Sequence, residues 1–564
     1  MINSGTISAT AKVYSDSAGY AYGVYVFGNL SGTLTNSGTI SATATNTQSR
    51  SPYAYGVYLG GIAAGGKLDN SGTISATATA NGNNGSTAYA YGVYVNGTLA
   101  GTLTNSGTIS ANALSNNPTN ASGASAYGVY VGGGLSAAGS LINSGTISAT
   151  ANGSYVSAYG VYVNGNLDGI LNNSGTIRAT ATATNEDANA YGVYVVGDLS
   201  GSLTNSGTIS ASAIASTIAY AVGVYVGGNL TGTLTNSGTI SATANGSNNA
   251  GARAYGVYMN NLDGTLTNSG TIRATGLGGV LDSKVYSIYA SGGSGRISNL
   301  AGGLLDGQVS ASGTIDVSND GTIDTRLQGS SVGGNYTQGA TGVLKIGAVT
   351  TGNYGQLNAG GTATLAAGTG IRVTADPAQT LEATNVLANV PSSTGVLTMS
   401  TIKVQDNILA LNFTAADNLA NGVDLTAAGT GMTTVAAAVS ASGSPGAAGA
   451  ARVLDSLMGT IGTQPKGISD FLYALGASGT PGEVANNVSQ VLPLVSGGLT
   501  QVSLGNLHGV NRVVQARMEQ NRGLSSGDDF VGNRKGWIKP LGSWADQKDR
   551  NGTFGYSART YGMA

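Results

Sequence analysis

The sequence predicts an all-β fold, a right-handed parallel β-helix solenoid in which three short strands form each coil. Three observations predict it: a phrase that recurs at a steady period, an alternation of apolar and polar residues, and glycine or asparagine where the chain must turn. The phrase "NSGTI" recurs with steps of 30 to 38 residues, a period typical of solenoid proteins. Its copies begin at Asn3, Asn36, Asn70, Asn105, Asn143, Asn173, Asn205, Asn236 and Asn268.

The residues that follow each corner predict a strand that is buried on one side. In "TISATA", Ile40, Ala42 and Ala44 share one face and the hydroxyl residues share the other, which is the pattern of a half-buried strand. Two further phrases, "AYGVYV" and "GTLT", contain β-branched and aromatic residues that favour strands. Three strands per repeat, turned by glycine and asparagine, describe one triangular coil.

The aligned repeats predict which columns of residues fill the interior. The positions of Val24, Val26 and Ile40 hold apolar residues in every copy, so we assign these columns to the core. The column of Tyr22 becomes Val222 in one copy, which indicates that it also faces inward. Alanine at most other inward positions keeps the coil narrow, so we expect a packed interior without a pore.

The column of Tyr25 has the opposite parity and is predicted to face outward, beside an unbroken column of glycines. Outward rings that lean over strand glycines would shield the backbone, so we interpret the column first as a stacking ladder that stiffens the coil. The alternative is a surface-binding stripe that grips a sugar or a partner protein. Its members are Tyr25, Tyr58, Tyr94, Tyr130, Tyr162, Tyr194, Tyr225 and Tyr258.

The corner asparagines are predicted to form a structural ladder. Asparagine tolerates the backbone of a tight corner, and amides stacked about 4.8 Å apart can each donate a hydrogen bond to the next. Without carboxylates beside them, these amides predict no metal site, and the sequence indicates no cofactor. The predicted ladder consists of Asn36, Asn70, Asn105, Asn143, Asn173, Asn205, Asn236 and Asn268.

The segments between "ATA" and "AYGVY" differ most from repeat to repeat, from "NGSYVS" to "NALSNNPTNASGAS". These insertions would leave the coil at one corner and lie along one flank. Variable loops on a rigid scaffold are where binding usually resides, so we expect any specificity in them.

Titratable side chains are sparse. Residues 1–280 carry 13 charged side chains and no histidine, and the whole chain has one histidine, no cysteine and a net charge of −2. This composition excludes a disulfide framework and gives no electrostatic reason to expect nucleic acid as a partner. No nucleophile, phosphate-loop or calcium-loop motif is present, and His508 is expected on the polar face of a helix. We therefore predict that the protein is not an enzyme, and we expect a monomer.

Changes of composition divide the chain into four predicted segments. The repetitive β-helix covers 1–280, and less regular coils with a terminal cap cover 281–430, because an open solenoid end exposes strand edges. A helical region covers 431–525, including a helix near 498–522 that is long enough to cross a membrane and too polar to contact lipid. Residues 526–564 hold two strands of transmembrane length joined by a hairpin.

The last segment resembles the start of the β-barrel of type V secretion autotransporters. The polar helix before it is similar to their pore-spanning linker, residues 335–412 resemble the pertactin-like region that assists passenger folding, and the repeats resemble adhesin-type passenger coils. The fold implied is a β-helix passenger, a short helical linker region and the first two strands of an incomplete β-barrel. The residues that carry the barrel resemblance are Trp537, Gly542, Trp544, Gly555, Tyr556 and Gly562.

The resemblance implies a passenger that is displayed on the cell surface and secreted through its own outer-membrane barrel. It implies the outer membrane and the barrel-assembly machinery as partners, a role in adhesion or virulence, and a host-surface or glycan ligand. The opening "MINSGTISAT" enters in mid-phrase without a signal peptide, and two strands cannot close a barrel, so we expect a truncated product.

Two other functions stay open at this point. A pectin-lyase-like enzyme that acts on polysaccharide uses the same kind of solenoid, and a cleft with converging carboxylates or a basic residue would favour it. A trimeric adhesin head would need shorter repeats and a heptad stalk, and the sequence shows neither.

Overall fold

The computed structural model of the chain forms two compact units. The first comprises Met1–Leu381, Asn385–Val404 and Thr414–Thr426, and the second comprises Glu382–Thr384, Gln405–Phe413 and Ala427–Ala564. The structure describes residues 1–14, 18–47, 50–81, 86–116, 122–246, 251–277, 284–376, 379–492, 540–548 and 556–563, with scattered positions between 504 and 519.

The first unit is a parallel β-solenoid of about 12 turns. Its three sheets contain 14, 15 and 13 strands, and through the repeats each strand pairs with the strand three positions further along the chain. The predicted all-β solenoid with three strands per coil is therefore confirmed.

Sheet 1 contains the "TLTN" strands, which end at the corner. Leu34 pairs with Leu68 and Asn36 with Asn70, so leucines and asparagines stack in separate columns. Both columns are buried, because the threonine between them takes the outward position. The strands are Ile2–Asn3, Thr33–Asn36, Lys67–Asn70, Thr102–Asn105, Ser140–Asn143, Ile170–Asn173, Ser202–Asn205, Thr233–Asn236, Thr265–Asn268, Arg296–Asn299, Asp316–Asn319, Tyr336–Gln338, Ala363–Leu365 and Leu397–Met399.

Sheet 2 contains the "TISATA" strands and has the predicted alternation. Along Thr39–Asn46 every second residue is buried, beginning with Ile40. Stacked alanines of sheets 2 and 3 form one buried cluster along the coils. The strands are Thr6–Val13, Thr39–Asn46, Thr73–Ala80, Thr108–Ser115, Thr146–Gly153, Thr176–Ala183, Thr208–Ala215, Thr239–Gly246, Thr271–Leu277, Leu304–Asp306, Thr322–Arg326, Val343–Thr350, Gly370–Ala375 and Lys403–Asp406, with Asn353–Tyr354 attached antiparallel.

Sheet 3 contains the "AYGVYV" strands. These strands have 8–12 residues up to Lys284–Gly292, and the last four have 3 or 4 residues. The strands are Gly19–Leu30, Pro52–Ile62, Ala88–Val95, Gly123–Val131, Tyr155–Val163, Ala188–Val195, Ala219–Leu230, Ala252–Leu262, Lys284–Gly292, Gln308–Ala311, Gly329–Val332, Gln356–Ala359 and Pro391–Ser393.

The prediction that the Tyr22 column faces inward is wrong. A Cβ on Gly23 would lie 2.6 Å from Ile40 Cγ2 in the core, so the glycine position faces the interior and the next position, Val24, is buried as well. Two consecutive inward positions shift the alternation by one residue. Tyr22 therefore lies on the outer face, where its ring packs against that of Tyr25 with 5.0 Å between the ring centroids.

A further buried column lies between sheets 3 and 1, and the repeat alignment above did not identify it. Its members pair one above another by single parallel bridges, and Ile62 and Leu230 are also the last residues of sheet 3 strands. Each is at most 1% exposed, so the column closes the interior on that side of the coil. The members are Ile62, Leu99, Leu135, Leu167, Leu199 and Leu230.

The later coils become shorter while the ladder continues. Asn268 bonds to Asn299 across 31 residues, and Asn299 bonds to Asn319 across 20. The shortening is possible because a single residue, Gly307, joins sheet 2 to sheet 3 with a φ of +127°, which favours glycine. Short strands at Val386–Leu387, Leu411–Asp417 and Val423–Gly429 follow, the first pairing antiparallel with the third.

Between 427 and 492 the second unit contains four α-helices: α1 (Val435–Ala441), α2 (Ala448–Met458), α3 (Lys466–Gly476) and α4 (Pro481–Gln490), with 3-10 turns at Pro445–Ala447 and Ile461–Thr463. Their apolar faces share one buried cluster. The side chain of Asp455 on α2 accepts hydrogen bonds from the first amides of α1, where a negative charge is favourable. Among the described residues, no helix combines the length and apolar character that crossing a bilayer requires.

Two C-terminal segments complete the described chain. Pro540–Gln547 and Tyr556–Met563 pair as antiparallel strands, as the hairpin prediction expects. The predicted linker helix near 498–522 lies largely outside the described residues. Trp537 and Gly555 also lie outside the described residues, so their roles remain predictions.

Candidate functional site: the ladders and the tyrosine face

The corner asparagines bond to one another from coil to coil. Asn36 Nδ2 donates to Asn70 Oδ1 at 2.7 Å, and the other neighbouring pairs have distances of 2.7–2.9 Å. The same Nδ2 lies 3.1 Å from the carbonyl of Thr73 in the next coil. All of these amides are buried. The ladder members are Asn3, Asn36, Asn70, Asn105, Asn143, Asn173, Asn205, Asn236, Asn268, Asn299 and Asn319.

This bonding leaves the ladder little capacity to hold a ligand. Each internal amide donates to its neighbour, accepts from the preceding coil and contacts backbone carbonyls. Buried polar groups are stable only when they are paired, and these groups are paired with one another. The arrangement supports a structural role for the predicted ladder residues.

The Tyr25 column forms a continuous stack of rings. Neighbouring ring centroids are 4.5–5.1 Å apart, and the planes differ by 1–23°. The stack runs through Tyr58, Tyr94, Tyr130, Tyr162, Tyr194, Tyr225 and Tyr258, and it extends to Tyr289. The repeat motif does not include Tyr289, because its strand reads "VYSIY" where the repeats read "AYGVY".

The Tyr22 column forms a second stack beside the first. From Tyr22 to Tyr191 the ring centroids are 4.8–5.1 Å apart. At Val222 the stack would break, but Tyr220 of the same strand tilts into the space, 5.7 Å from Tyr191 and 5.6 Å from Tyr255. The aromatic surface is therefore continuous across the substituted coil.

The two stacks pack edge to face against each other. Tyr91 and Tyr94, for example, have centroids 5.0 Å apart and planes at 85°. This packing leaves Tyr91 9% exposed, and burial raises its pKa well above the ordinary value of a phenol. Burial, followed by the neighbouring Tyr130, raises the pKa of Tyr94 to about 12. The phenols of Tyr91 and Tyr94 are therefore neutral at physiological pH.

The stacking decides what the tyrosine face can offer to a ligand. Ring faces within a stack cover one another, so they are not free platforms for a sugar ring. The phenol edges remain half-exposed, and the hydroxyls of Tyr94 and Tyr162 lie 3.3 Å from the surface amides of Asn96 and Asn164. We call this surface, formed by the Tyr22 and Tyr25 columns, the tyrosine face. It presents a row of neutral hydroxyl groups on a rigid aromatic wall.

A charged column on the outer side of sheet 2 was missed by sequence reasoning. Arg273 Nε lies 2.6 Å from Asp306 Oδ2, and Arg326 Nη2 lies 2.7 Å from Asp306 Oδ1. One coil further, Lys345 Nζ lies 2.8 Å from Asp324 Oδ2. The coil length changes here, so no constant spacing in the sequence indicates that these residues are neighbours.

No group of three or more His, Cys, Asp or Glu side chains is arranged to hold a metal within the described part of the chain. His508 is exposed.

No protein-family model matches the chain, and no curated protein matches it. What the structure shows is a repetitive parallel β-solenoid, a short helical region and a pair of antiparallel strands.

Proposed function

We propose that this chain is a surface-displayed structural and adhesive passenger of the autotransporter kind. One observation carries the proposal: nearly identical coils present connections of different length at the same corner. Within the repeats, the connections from sheet 2 to sheet 3 have from one residue, after Gly153, to seven residues, after Ala80 and Ser115. A scaffold with a constant coil and variable loops at one corner is suited to displaying those loops to a binding partner.

The solenoid supplies reach and rigidity for this role. With about 12 turns and about 4.8 Å for each turn, the coils extend roughly 58 Å. The asparagine ladder and the tyrosine face join every repeat to the next through side chains as well as through backbone. Such a rod would hold its corner loops at a fixed distance from the surface that bears it.

The C-terminal strands support the proposed location outside the outer membrane. Trp544 and Tyr561 are 71% and 75% exposed on the paired strands, which fits an aromatic contact with a membrane interface. On this proposal the barrel-assembly machinery is a processing partner, and a host surface or a glycan is the adhesion target. The protein acts as a monomer and not as an enzyme.

Binding of the purified chain to host-cell monolayers tests the proposal. In the loop variant, 81–87 and 116–122 are each replaced by one serine, because Ser154 alone joins the two sheets in another coil. In the face variant, Tyr58, Tyr94 and Tyr130 are replaced by threonine. We expect one of these variants to lose most of the binding, and unchanged binding in a chain that carries both changes would overturn the proposal.

A matched control uses the opposite side of the coil. The outward residues Thr43, Thr77 and Thr150 of sheet 2 lie away from both candidate surfaces, so their replacement by serine should leave adhesion unchanged. Circular dichroism of each variant checks that the β-helix has formed.

A second candidate function, an enzyme that acts on an acidic polysaccharide, is favoured by one observation. Asp306 and Asp324 are paired neighbours on the outer side of sheet 2, with Arg326 and Lys345 bound to them. Both oxygens of Asp306 are held in ion pairs, which favours a structural role instead. Depolymerisation of polygalacturonate that disappears in Asp324→Asn would support the enzyme, and a lack of depolymerisation by the native chain would end this alternative.

A further inference from the structure

Phenol rings of successive coils meet in register along the Tyr25 column. Tyr194 and Tyr225 are partners on adjacent strands, with 4.5 Å between the ring centroids and 8° between the ring planes. Tyr94 and Tyr130 are partners as well, with 4.7 Å between the centroids and 1° between the planes. Nearly parallel rings in register bring equivalent atoms of two phenols to roughly the distance that separates the centroids.

The hydroxyl groups show the same alignment in the closest pair of this stack. The hydroxyls of Tyr194 and Tyr225 share a hydrogen bond. The carbons next to the hydroxyl-bearing carbon, Cε1 and Cε2, are the reactive positions of a phenol that has lost an electron and a proton. Because the hydroxyls are in contact and the rings are nearly parallel, a Cε atom of one ring lies beside a Cε atom of the other. This is the arrangement from which two phenoxyl radicals combine.

The rings of this column are accessible to an oxidant. All members of the two pairs are half-buried, so part of each ring stays open to solvent. Burial raises the pKa of Tyr194 and of Tyr225, so at physiological pH each phenol loses its proton only together with an electron. Such a loss leaves a neutral radical on the ring, beside an intact phenol of the next coil.

A covalent link between these rings would do what a disulfide cannot do in this chain. The sequence has no cysteine, and the asparagine ladder and the ring stacks join the coils without covalent bonds. A bond between Tyr194 and Tyr225 would close a loop that contains one coil. A closed loop restricts the unfolded chain and so favours the folded state.

We propose that neighbouring rings of the Tyr25 column are sites of oxidative coupling, which joins successive coils through dityrosine. The oxidant is hydrogen peroxide activated by a haem peroxidase. Two phenols each give up one electron and the hydroxyl proton, and the two radicals form a bond between their Cε atoms. Each of these carbons then passes its hydrogen to the adjoining oxygen as a proton. The two electrons and two protons that were removed reduce one peroxide to two water molecules. The coupling is independent of the proposed adhesive function.

Treatment of the dilute full chain with peroxide and a haem peroxidase tests the coupling. Dityrosine is detected by its fluorescence, and the monomer is isolated by denaturing electrophoresis. Elastase can cleave at the alanines and valines between Tyr194 and Tyr225, so mass spectrometry of the digest identifies which rings are linked. We expect linked peptides from adjacent coils, with this pair the most abundant, each lighter than its two parent peptides by two hydrogen atoms.

Two phenylalanine variants separate stacking from exposure. Tyr225→Phe keeps a ring in the stack and removes the phenol, so the link to Tyr194 should disappear while links elsewhere in the column remain. Tyr155→Phe is the matched control, because Tyr155 is 46% exposed and its hydroxyl contacts the amide of Asn189 in the next coil instead of a stacked phenol. It should leave the yield of dityrosine in the monomer unchanged.

Urea unfolding measures what the links contribute to stability. The coupled monomer should unfold at a higher urea concentration than the chain treated with peroxide alone, because each link restricts the unfolded state. Three results would overturn the proposal: dityrosine confined to dimers and larger species, an equal loss of yield in the two phenylalanine variants, or a coupled monomer whose urea midpoint is no higher than that of the peroxide-treated chain.

Discussion

A corner asparagine satisfies several neighbours with one amide. Asn173 Nδ2 lies 2.7 Å from Asn205 Oδ1, 3.2 Å from Gly175 O and 3.1 Å from Thr208 O, and its own Oδ1 accepts from Asn143. Because the amide is buried, neither it nor its partners can form replacement hydrogen bonds with water. One residue thus secures the joint between three coils.

We predict that Asn173→Ala destabilises the solenoid by about 2 kcal/mol, because it leaves a buried donor of Asn143 and a buried acceptor of Asn205 unpaired. Asn112→Ala is the control, since Asn112 is exposed on sheet 2. Urea unfolding followed by circular dichroism measures both. Equal midpoints for the two variants would show that the ladder contributes nothing measurable.

A single carboxyl in the second unit should make stability depend on pH. Asp406 is 1% exposed, and this burial raises its pKa from 3.8 to about 7, against the opposing effect of the Ile408 and Phe413 amides. The folded state therefore binds the proton more tightly than the unfolded state does. The contribution of Asp406 to the free energy of unfolding is greatest below about pH 4, decreases as the pH rises to about 7, and is constant above that.

We predict that Asp406→Asn removes this decline. One pH unit within the window corresponds to about 1.4 kcal/mol, so the native chain should lose on the order of a few kcal/mol across it. Thermal unfolding of the helical unit at a series of pH values checks the sign. A native stability that rises between pH 4 and pH 7 would contradict the assignment.

At the scale of the element, the paired tyrosine stacks show how one column can compensate for another. Val222 removes a ring from the Tyr22 column, and Tyr220 replaces the contact from two positions earlier. In the coil of Tyr127, the position equivalent to Tyr220 is Ser125, which can offer no ring. A valine in the Tyr22 column should therefore lower the free energy of unfolding more in the coil of Tyr127 than in the coil of Val222.

We predict that Tyr127→Val costs about 2 kcal/mol, because it opens a gap between the rings of Tyr91 and Tyr159. Adding Ser125→Tyr should recover part of that loss, since it recreates the arrangement around Val222. Ser125→Tyr alone provides the control and completes a double-mutant cycle of unfolding free energies. A coupling energy near zero would mean that the rings do not compensate for one another.

At the scale of the whole molecule, the constant register predicts that coils can be removed as units. Deleting 174–205 joins Asn173 to Ser206 and restores the "NSGTI" corner, so the solenoid should fold with one turn fewer. Deleting 174–189 removes half a coil and brings sheet 2 residues against sheet 3. We expect protease resistance and the strand spectrum to survive the first deletion and to be lost in the second.

The repeats made most of the fold predictable from sequence. Ile40 and its stacked equivalents identify an inward column because the same residue type recurs at each period. The slip at Gly23 was not predictable, because a one-residue shift leaves the period unchanged and reverses the face of Tyr22. Later coils keep the corner asparagine, for example Asn299, without the rest of the "NSGTI" phrase. The repeated phrase therefore does not identify these asparagines.

The candidate sites were predictable to different degrees. The tyrosine column is visible in the sequence, while its edge-to-face packing follows from the slip at Gly23. The charged column around Asp306 joins residues from successive coils of unequal length. Sequence spacing does not identify such neighbours, since it depends on how long each connecting loop is.

The asparagine ladder has a consequence for how the chain acquires its structure. Its bonds join residues 20 to 38 positions apart and never reach beyond the adjacent coil. A finished coil therefore offers the edge on which the next coil can form, and each addition closes a loop of similar length at similar entropic cost. Folding can therefore proceed by sequential addition of coils, starting from whichever coil forms first. A polypeptide that is released gradually through a narrow opening can fold in the same way as it emerges.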